Sequence, residues 1–295
     1  MKLALALWSL LMASPAFSQD RGDSVVEIRP PTGRLAIVAD GNSPDPDDIG
    51  ALAVMLGLLK GTALQGRLVH LSHSCDLDPF SNPGVQIISA ADERRRQNKL
   101  GEVCRQGIEF FGPFTNLSAF YNCRAQQAAA VQDLRIAIDS STAEDPLWIL
   151  EAGEPDVIGY ALREAQASKR SFVHVVSHHP ANDNSGDIFT WQEILDFGVR
   201  EHQIGDQNKG LHTPMPVWDW AMNQVRPEIS WIWDQLKYAE QDGVVTFQKD
   251  SFDCSDAGIL YWWITGANEG GHHLATPADF KPILLKATQP NPSQQ

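Results

Sequence analysis

No stretch of this chain holds 18 uninterrupted apolar residues, which leaves no candidate for a membrane-spanning helix. Basic residues are short as well: 23 lysines and arginines stand against 37 aspartates and glutamates, a formal charge of −14. A surface that acidic argues against nucleic acid or an anionic membrane as a partner. The single basic cluster, Arg94-Arg95-Arg96, follows Asp92 and Glu93 in a helical pattern and reads as a solvated face. Cysteine is scarce, with Cys75, Cys104, Cys123 and Cys254 the full set. Four cysteines allow three pairings, and spacing alone does not choose among them. A Cys104–Cys123 bridge would close a short loop around Gly112-Pro113 and leave Cys75 to Cys254; buried thiols are the alternative.

What the chain does have begins with its ends. Lys2, the apolar run 3–13 and Ala16-Phe17-Ser18 have the pattern of a secretory signal ending at residue 18. An exported chain in a secreted or periplasmic setting follows, and there disulfides become permissible. Residues 19–33 read as an extended lead-in and 288–295 as a disordered tail. No repeat or linker interrupts 34–287, long enough for one large domain with a well-buried core.

Inside that span, apolar β-branched runs alternate with helical patterns. Strands are expected at 35–38, 67–71, 147–150, 172–176 and 244–247. Helices are expected at 49–59, 85–111, 125–138, 155–167, 191–197, 228–240 and 257–265. The alternation predicts an α/β fold, a mostly parallel sheet with helices on both faces. Ligands in such sheets bind beyond the carboxyl ends of strands, where strand order switches. The long stretch 198–227, rich in Trp, Asn, His and Pro, reads as irregular, a lid or wall as readily as a packed loop.

The densest chemistry lies at the end of the first strand, in Arg34-Leu-Ala-Ile-Val-Ala-Asp40-Gly-Asn42-Ser-Pro-Asp45-Pro-Asp47-Asp48. Carboxylates so crowded repel one another, and an oxygen-seeking cation relieves that repulsion. An EF-hand is excluded, because Asp45 and Ala51 occupy the places of its glycine and final glutamate. A phosphate-binding loop is excluded by the missing glycines and lysine.

This loop resembles the first loop of the nucleoside hydrolase superfamily, in which an apolar strand runs into Asp-x-Asp-x-x-x-Asp-Asp before a helix and the aspartates hold calcium. Asp47 and Asp48 match the terminal pair. Asp40 matches the first aspartate with one residue inserted, and Asn42 takes the place of the second. Residues Leu147 to Ile158 are similar to the superfamily's mid-chain strand, where a backbone carbonyl ligates calcium, so Glu154 to Asp156 are secondary candidates. Pro155 and Asp156 equally suit the first turn of a helix. Phe252-Asp-Cys-Ser-Asp256-Ala-Gly is similar to the loop carrying the last calcium ligand, which makes Asp256 that ligand or a helix cap. Ser255 stands where some members carry an acid histidine.

The resemblance implies Ca²⁺ at Asp40, Asn42, Asp47, Asp48 and Asp256, with Asp40 also accepting a proton from water. His73, at the end of the second strand, is a second catalytic candidate. Residues His178, His179, Asn182 and Asn184 follow a later strand and suit sugar hydroxyls, which donate and accept hydrogen bonds together. Trp218 is the candidate aromatic wall, though tryptophans on apolar helices are more often core. A zinc site at His178-His179 or His272-His273 is disfavoured, since neither pair has the i,i+4 spacing.

The expected activity is metal-dependent cleavage of an N-glycosidic bond in a ribonucleoside-like substrate. Cleavage of an O-glycoside or other carbohydrate, and non-catalytic calcium-stabilised carbohydrate binding, are the rivals. The partner is a small sugar or nucleoside, and association with further copies of the chain is left open.

Overall fold

The computed structural model describes residues 26–41, 47–77, 89–242, 250–266 and 274–287. Its centre is a six-stranded sheet in the order β3-β2-β1-β4-β5-β6, every pairing parallel. The strands are β1 (Arg34–Ala39), β2 (Leu68–His73), β3 (Tyr121–Asn122), β4 (Leu147–Ala152), β5 (Val173–Ser177) and β6 (Arg200–Gln203). From β1 the chain builds outward through β2 and β3, then crosses back to lay β4 on the other side of β1. Strand order therefore reverses between β1 and β4, and a crevice opens beyond their carboxyl ends.

Alternation along each central strand divides the core. Leu35, Ile37 and Ala39 of β1, with Trp148, Leu150 and Ala152 of β4, face one apolar cluster. Ala36, Val38, Leu147 and Ile149 face the other. Four helices, α2 (Ala90–Phe111), α9 (Pro227–Asp242), α10 (Ala257–Gly266) and α11 (Pro277–Ala287), surround α1 (Asp47–Gly61) on the first face. The second face carries α3 (Cys123–Asp139), α4 (Asp156–Glu164) and α7 (Trp191–Asp196). Twelve of the fifteen α1 residues are buried, so this helix is apolar nearly all round and forms the core's axis. Each fully buried leucine there contributes about 1.5–3 kcal/mol of transfer energy.

The expected α/β architecture is present, and four of the five expected strands overlap β1, β2, β4 and β5, with ends that agree to within two residues. The fifth, 244–247, lies outside the described residues. Three features depart from the sequence reading. The 155–167 helix divides into α4 and α5 (Ala167–Arg170). The stretch 198–227 is not wholly irregular, since it contains β6, α8 (Asn208–Leu211) and β7 (Thr213–Pro214). β7 pairs antiparallel with β8 (Ser251–Phe252), and the short α6 (Pro180–Asp183) follows β5. β6 reads Arg-Glu-His-Gln because it is an edge strand, where polar side chains face water.

All four cysteines are free, buried thiols, which corrects the expected bridges. Cys104 belongs to the core on one face of the sheet and Cys123 to the core on the other. Among the described residues no helix is long and apolar enough to cross a membrane.

Candidate functional site

Asp40 is the first residue past β1, and its backbone is pinned from both sides. Its N–H donates to Ala152 O at 2.8 Å, and its carbonyl accepts from Ser74 N at 3.2 Å. Behind it, Gly153 adopts φ +148°, and a Cβ there would lie 2.3 Å from Asp40 Cβ. Only glycine permits that approach of the β4 end to the aspartate.

Asp48 projects from the first turn of α1, where a carboxylate also meets the positive helix end. Asp256 immediately precedes α10. Its loop reaches α1 because position 50 lacks a side chain, and a Cβ on Gly50 would lie 2.6 Å from Asp253 O. The result is a buried triad in which one oxygen each of Asp40, Asp48 and Asp256 lies within 4.8 Å of the other two. An ion bonded to oxygens at 2.3–2.6 Å spans roughly 5 Å between opposite ligands, so the spread fits one coordination shell. The all-oxygen donor set suits a hard cation. A buried acidic triad able to hold a metal is therefore part of this fold.

Cations and dipoles support these carboxylates. Arg96 Nη2 lies 3.3 Å from Asp48 Oδ2, both side chains fully buried. His178 Nε2 lies 3.0 Å from Asp256 Oδ1, while its Nδ1 accepts from Gln207 N at 3.2 Å. That pair of contacts assigns the proton to Nε2, so a neutral imidazole donates to Asp256 and fixes its orientation. Arg124 bridges Asp76 and Glu93 in the buried layer below. Burial lowers its pKa to about 10, against the opposing pull of Cys75, Asp48, Asp40 and Glu154, so it stays charged at neutral pH.

Other groups around the site carry shifted protonation. Glu151, one residue before the end of β4, is fully buried, and burial pushes its carboxyl well above the usual range. The charges of Asp183, Asp256 and Glu154 add to that, and Ser177 opposes it. Asp183 is raised by burial too, while accepting from Ser177 Oγ and Gln203 Nε2, each at 2.5 Å. The Cys75 thiol is pushed up by burial and by Asp40, Cys123 and the two glutamates. Cys254 is pushed up by burial and by Asp253, Asp47 and Asp256. Both cysteines thus feel the site's carboxylates, although they are not joined.

The structure brings some sequence candidates together and separates others. Asp40, Asp48 and Asp256 converge. Asp47 instead accepts from Ser255 Oγ at 2.7 Å. Asn42 lies outside the described residues, as do His272 and His273. His73 is buried, its Nδ1 3.0 Å from Ser74 Oγ, and its Nε2 has no hydrogen-bond partner among the described residues. Burial, with the Arg124 charge second, lowers its pKa to about 4. Its ring lies beside Gly101 and Phe120, under α2.

His178 is engaged with Asp256, and His179 caps α6 through Nδ1. The Asn184 amide closes the same turn on Pro180 O at 2.5 Å. The Asn182 side chain is half-buried and has no hydrogen-bond partner among the described residues. Trp218 does not offer a wall, because it is wholly buried between Trp220 and Phe280 in the core. Asp156 holds the following loop by accepting from the N–H groups of Asp187, Ile188 and Phe189.

Sequence reasoning missed Arg96, Arg124, Glu151 and Gln207. Arg96 was assigned to a solvated face, yet Glu93, Arg96, Leu100, Val103 and Gly107 are all buried and form one 3.6-period stripe of α2. That stripe was the available signal. No comparable pattern marks Arg124 or Gln207.

No family model matches the chain. It is 49% identical over 257 residues to uncharacterized protein P22 of Formosa agariphila, covering 87% of this chain and 92% of that protein. Among solved structures, a plant nucleoside hydrolase superposes with a TM-score of 0.52 at 10% identity, covering 88% of this chain and all of that one. The type III effector XopQ, in complex with adenosine diphosphate ribose, superposes with a TM-score of 0.52 at 11% identity, over 88% and 94% of the two chains. The effector XOO4466 gives 0.51 at 11% over the same shares. The fold is nucleoside hydrolase-like, in a divergent form.

Proposed function

The chain belongs to the family of the Formosa agariphila protein, and from its nucleoside hydrolase-like fold and buried acidic triad we propose an exported, calcium-dependent hydrolase that cleaves the N-glycosidic bond of a ribonucleoside-like substrate. The observation that carries this reading is the convergence of Asp40, Asp48 and Asp256 at the strand-order switch. Export is supported by the apolar N-terminal run of the sequence.

Asp40, Asp48 and Asp256 would hold the Ca²⁺. A cation there supplies positive charge that anchors a sugar diol and eases deprotonation of water. The protein's own part is positioning and proton transfer. Asp40 is the base: both of its backbone polar groups are bonded and Gly153 packs against it, which fixes the point from which its carboxylate reaches into the site. A base so placed contributes roughly 10²–10⁴ in rate. His178 keeps Asp256 turned inward, and Arg96 does the same for Asp48. The half-buried Asn182 amide is the polar group best suited to a sugar hydroxyl.

A second reading, ligand binding without turnover, is favoured by Ser255. The position that would carry an acid histidine holds a hydroxyl already committed to Asp47. The XopQ complex illustrates a nucleotide ligand on this fold.

Asp40→Asn separates the readings. A hydrolase loses release of reducing sugar from ribonucleosides even at Ca²⁺ concentrations raised, as calorimetry reads, to fill the weakened site. Wild-type protein that binds Ca²⁺ and nucleoside yet releases no sugar overturns the hydrolase reading and supports the binder.

A further inference from the structure

The amino ends of the strands carry a cavity of their own, at the opposite end of the sheet from the triad. It encloses about 180 Å³. Sites for drug-sized molecules run to roughly 300–1,000 Å³, so an occupant here is smaller. Sheet register builds the floor. Trp148 of β4 pairs with His174 of β5, and His174 pairs with Arg200 of β6. Residues paired in register share a face, so the three side chains form one row across three strands. The row ends at the edge of the sheet with the exposed Arg200. The His174 ring stacks on Trp148 with 3.9 Å between centroids. Phe172, Thr32 and Thr142 also line the cavity, and Trp148 Nε1 donates to Thr32 O at 3.0 Å, which ties the lead-in segment over the floor.

The polar groups of this cavity are not committed elsewhere. The Arg200 guanidinium has no hydrogen-bond or ion-pair partner among the described residues. Nearby carboxylates are engaged away from it: Glu201 accepts from Trp191 Nε1 at 2.7 Å, and Asp145 is held by Arg34 Nε at 2.8 Å. His174 lines the cavity and keeps 8% of its surface exposed. Its Nδ1 lies 2.8 Å from His202 Nε2, which leaves Nε2 as the ring nitrogen for a ligand. Burial, then the neighbouring His202 and Arg200, lower the His174 pKa to about 4. The ring is therefore neutral at pH 7, and Arg200 is the cation of the cavity.

We propose that this cavity binds a small planar carboxylate carried on an apolar ring. Arg200 pairs with the carboxylate through its fork of donors. The anion selects the tautomer in which His202 Nε2–H donates to His174 Nδ1, and His174 Nε2–H then donates to the ligand. Phe172 and the Trp148–His174 row offer aromatic surface to the ring. A phosphate dianion is disfavoured, because one guanidinium does not return the hydration that two charges lose on burial. No part of this site touches the triad, so the proposal stands apart from the hydrolase reading.

The test is an NMR titration of the nitrogen-labelled full chain at pH 7 and low salt, without Ca²⁺, using benzoate, benzyl alcohol and inorganic phosphate. The reporter is the indole N–H signal of Trp148, identified by its loss in Trp148→Phe. Benzoate is expected to move that signal and to bind at least fivefold tighter than benzyl alcohol, and rising salt should narrow the margin. Arg200→Gln, a change at an exposed edge position, should erase the margin. Benzoate that leaves the signal in place, equal binding of benzoate and benzyl alcohol, or a margin kept by Arg200→Gln overturns the proposal. Phosphate that displaces benzoate at equal concentration overturns it as well. Should Trp148→Phe misfold, calorimetric titration of wild type and Arg200→Gln with the same three probes reads the same margin and decides in the same way.

Discussion

Asp256→Asn isolates one charge of the triad while preserving shape, because the amide oxygen still accepts from His178 Nε2. With Ca²⁺ at a hundredfold excess over its dissociation constant, wild-type protein gains about 2.7 kcal/mol of stability. For a domain of this size each kcal/mol moves Tm by about 2–4 °C, so the expected rise is roughly 5–11 °C. A carboxylate oxygen about 2.4 Å from a dication is worth about 3.5 kcal/mol even at the dielectric of water, more than a hundredfold in affinity. At the same Ca²⁺ concentration the variant should then gain at most about 0.4 kcal/mol, a shift of no more than about 1–2 °C. Scanning calorimetry of chelator-stripped protein, titrated with CaCl₂, reads both values. A wild-type Tm indifferent to Ca²⁺, or an equal rise in the variant, refutes the claim that these three carboxylates form a calcium site.

Other expected outcomes follow from neighbouring contacts. His178→Asn removes the group that orients Asp256, and metal affinity measured by calorimetry should fall by about 10–100-fold. Gly153→Ala drives a Cβ to 2.3 Å from Asp40 at φ +148°, so it should destabilise the fold and abolish Ca²⁺ binding together; a variant with wild-type affinity refutes the close approach. Arg124→Met leaves Asp76 and Glu93 buried without their shared cation and should cost about 3–5 kcal/mol in urea unfolding. His73 titrates near 4 in the folded chain against 6.5 unfolded, so the unfolded state binds the extra proton between those values. Stability should fall as pH drops from 6.5 toward 4, by at most about 3 kcal/mol from this residue, with no contribution above 6.5. The difference in unfolding free energy between wild type and His73→Gln, followed across that window, should carry that slope and nothing of it above pH 7.

The sequence by itself determined the elements whose causes are local. An apolar β-branched run makes β1, the acidic loop and apolar run that follow start α1, and their alternation along the chain implies a parallel sheet with helices on both faces. It also marked Asp40, Asp48 and Asp256, because carboxylates crowded at strand ends and helix starts are visible in one dimension. Two limits were local as well. β6 escaped notice because an edge strand has no apolar face to display. Arg96 was misassigned because its neighbours Arg94 and Arg95 suggested a surface, while its i−3 and i+4 partners Glu93 and Leu100 placed it inside. Only tertiary structure decided that Arg96 pairs with Asp48, 48 residues away, that His178 turns Asp256 inward across 78, and that Arg124 spans Asp76 and Glu93. It likewise decided that Trp218 belongs to the core and that the cysteines stay unpaired. Secondary structure follows from periodicity along a few adjacent residues. Which buried charge meets which depends on sheet order, on helix rotation and on backbone approaches such as those at Gly50 and Gly153, and only the packed chain sets these.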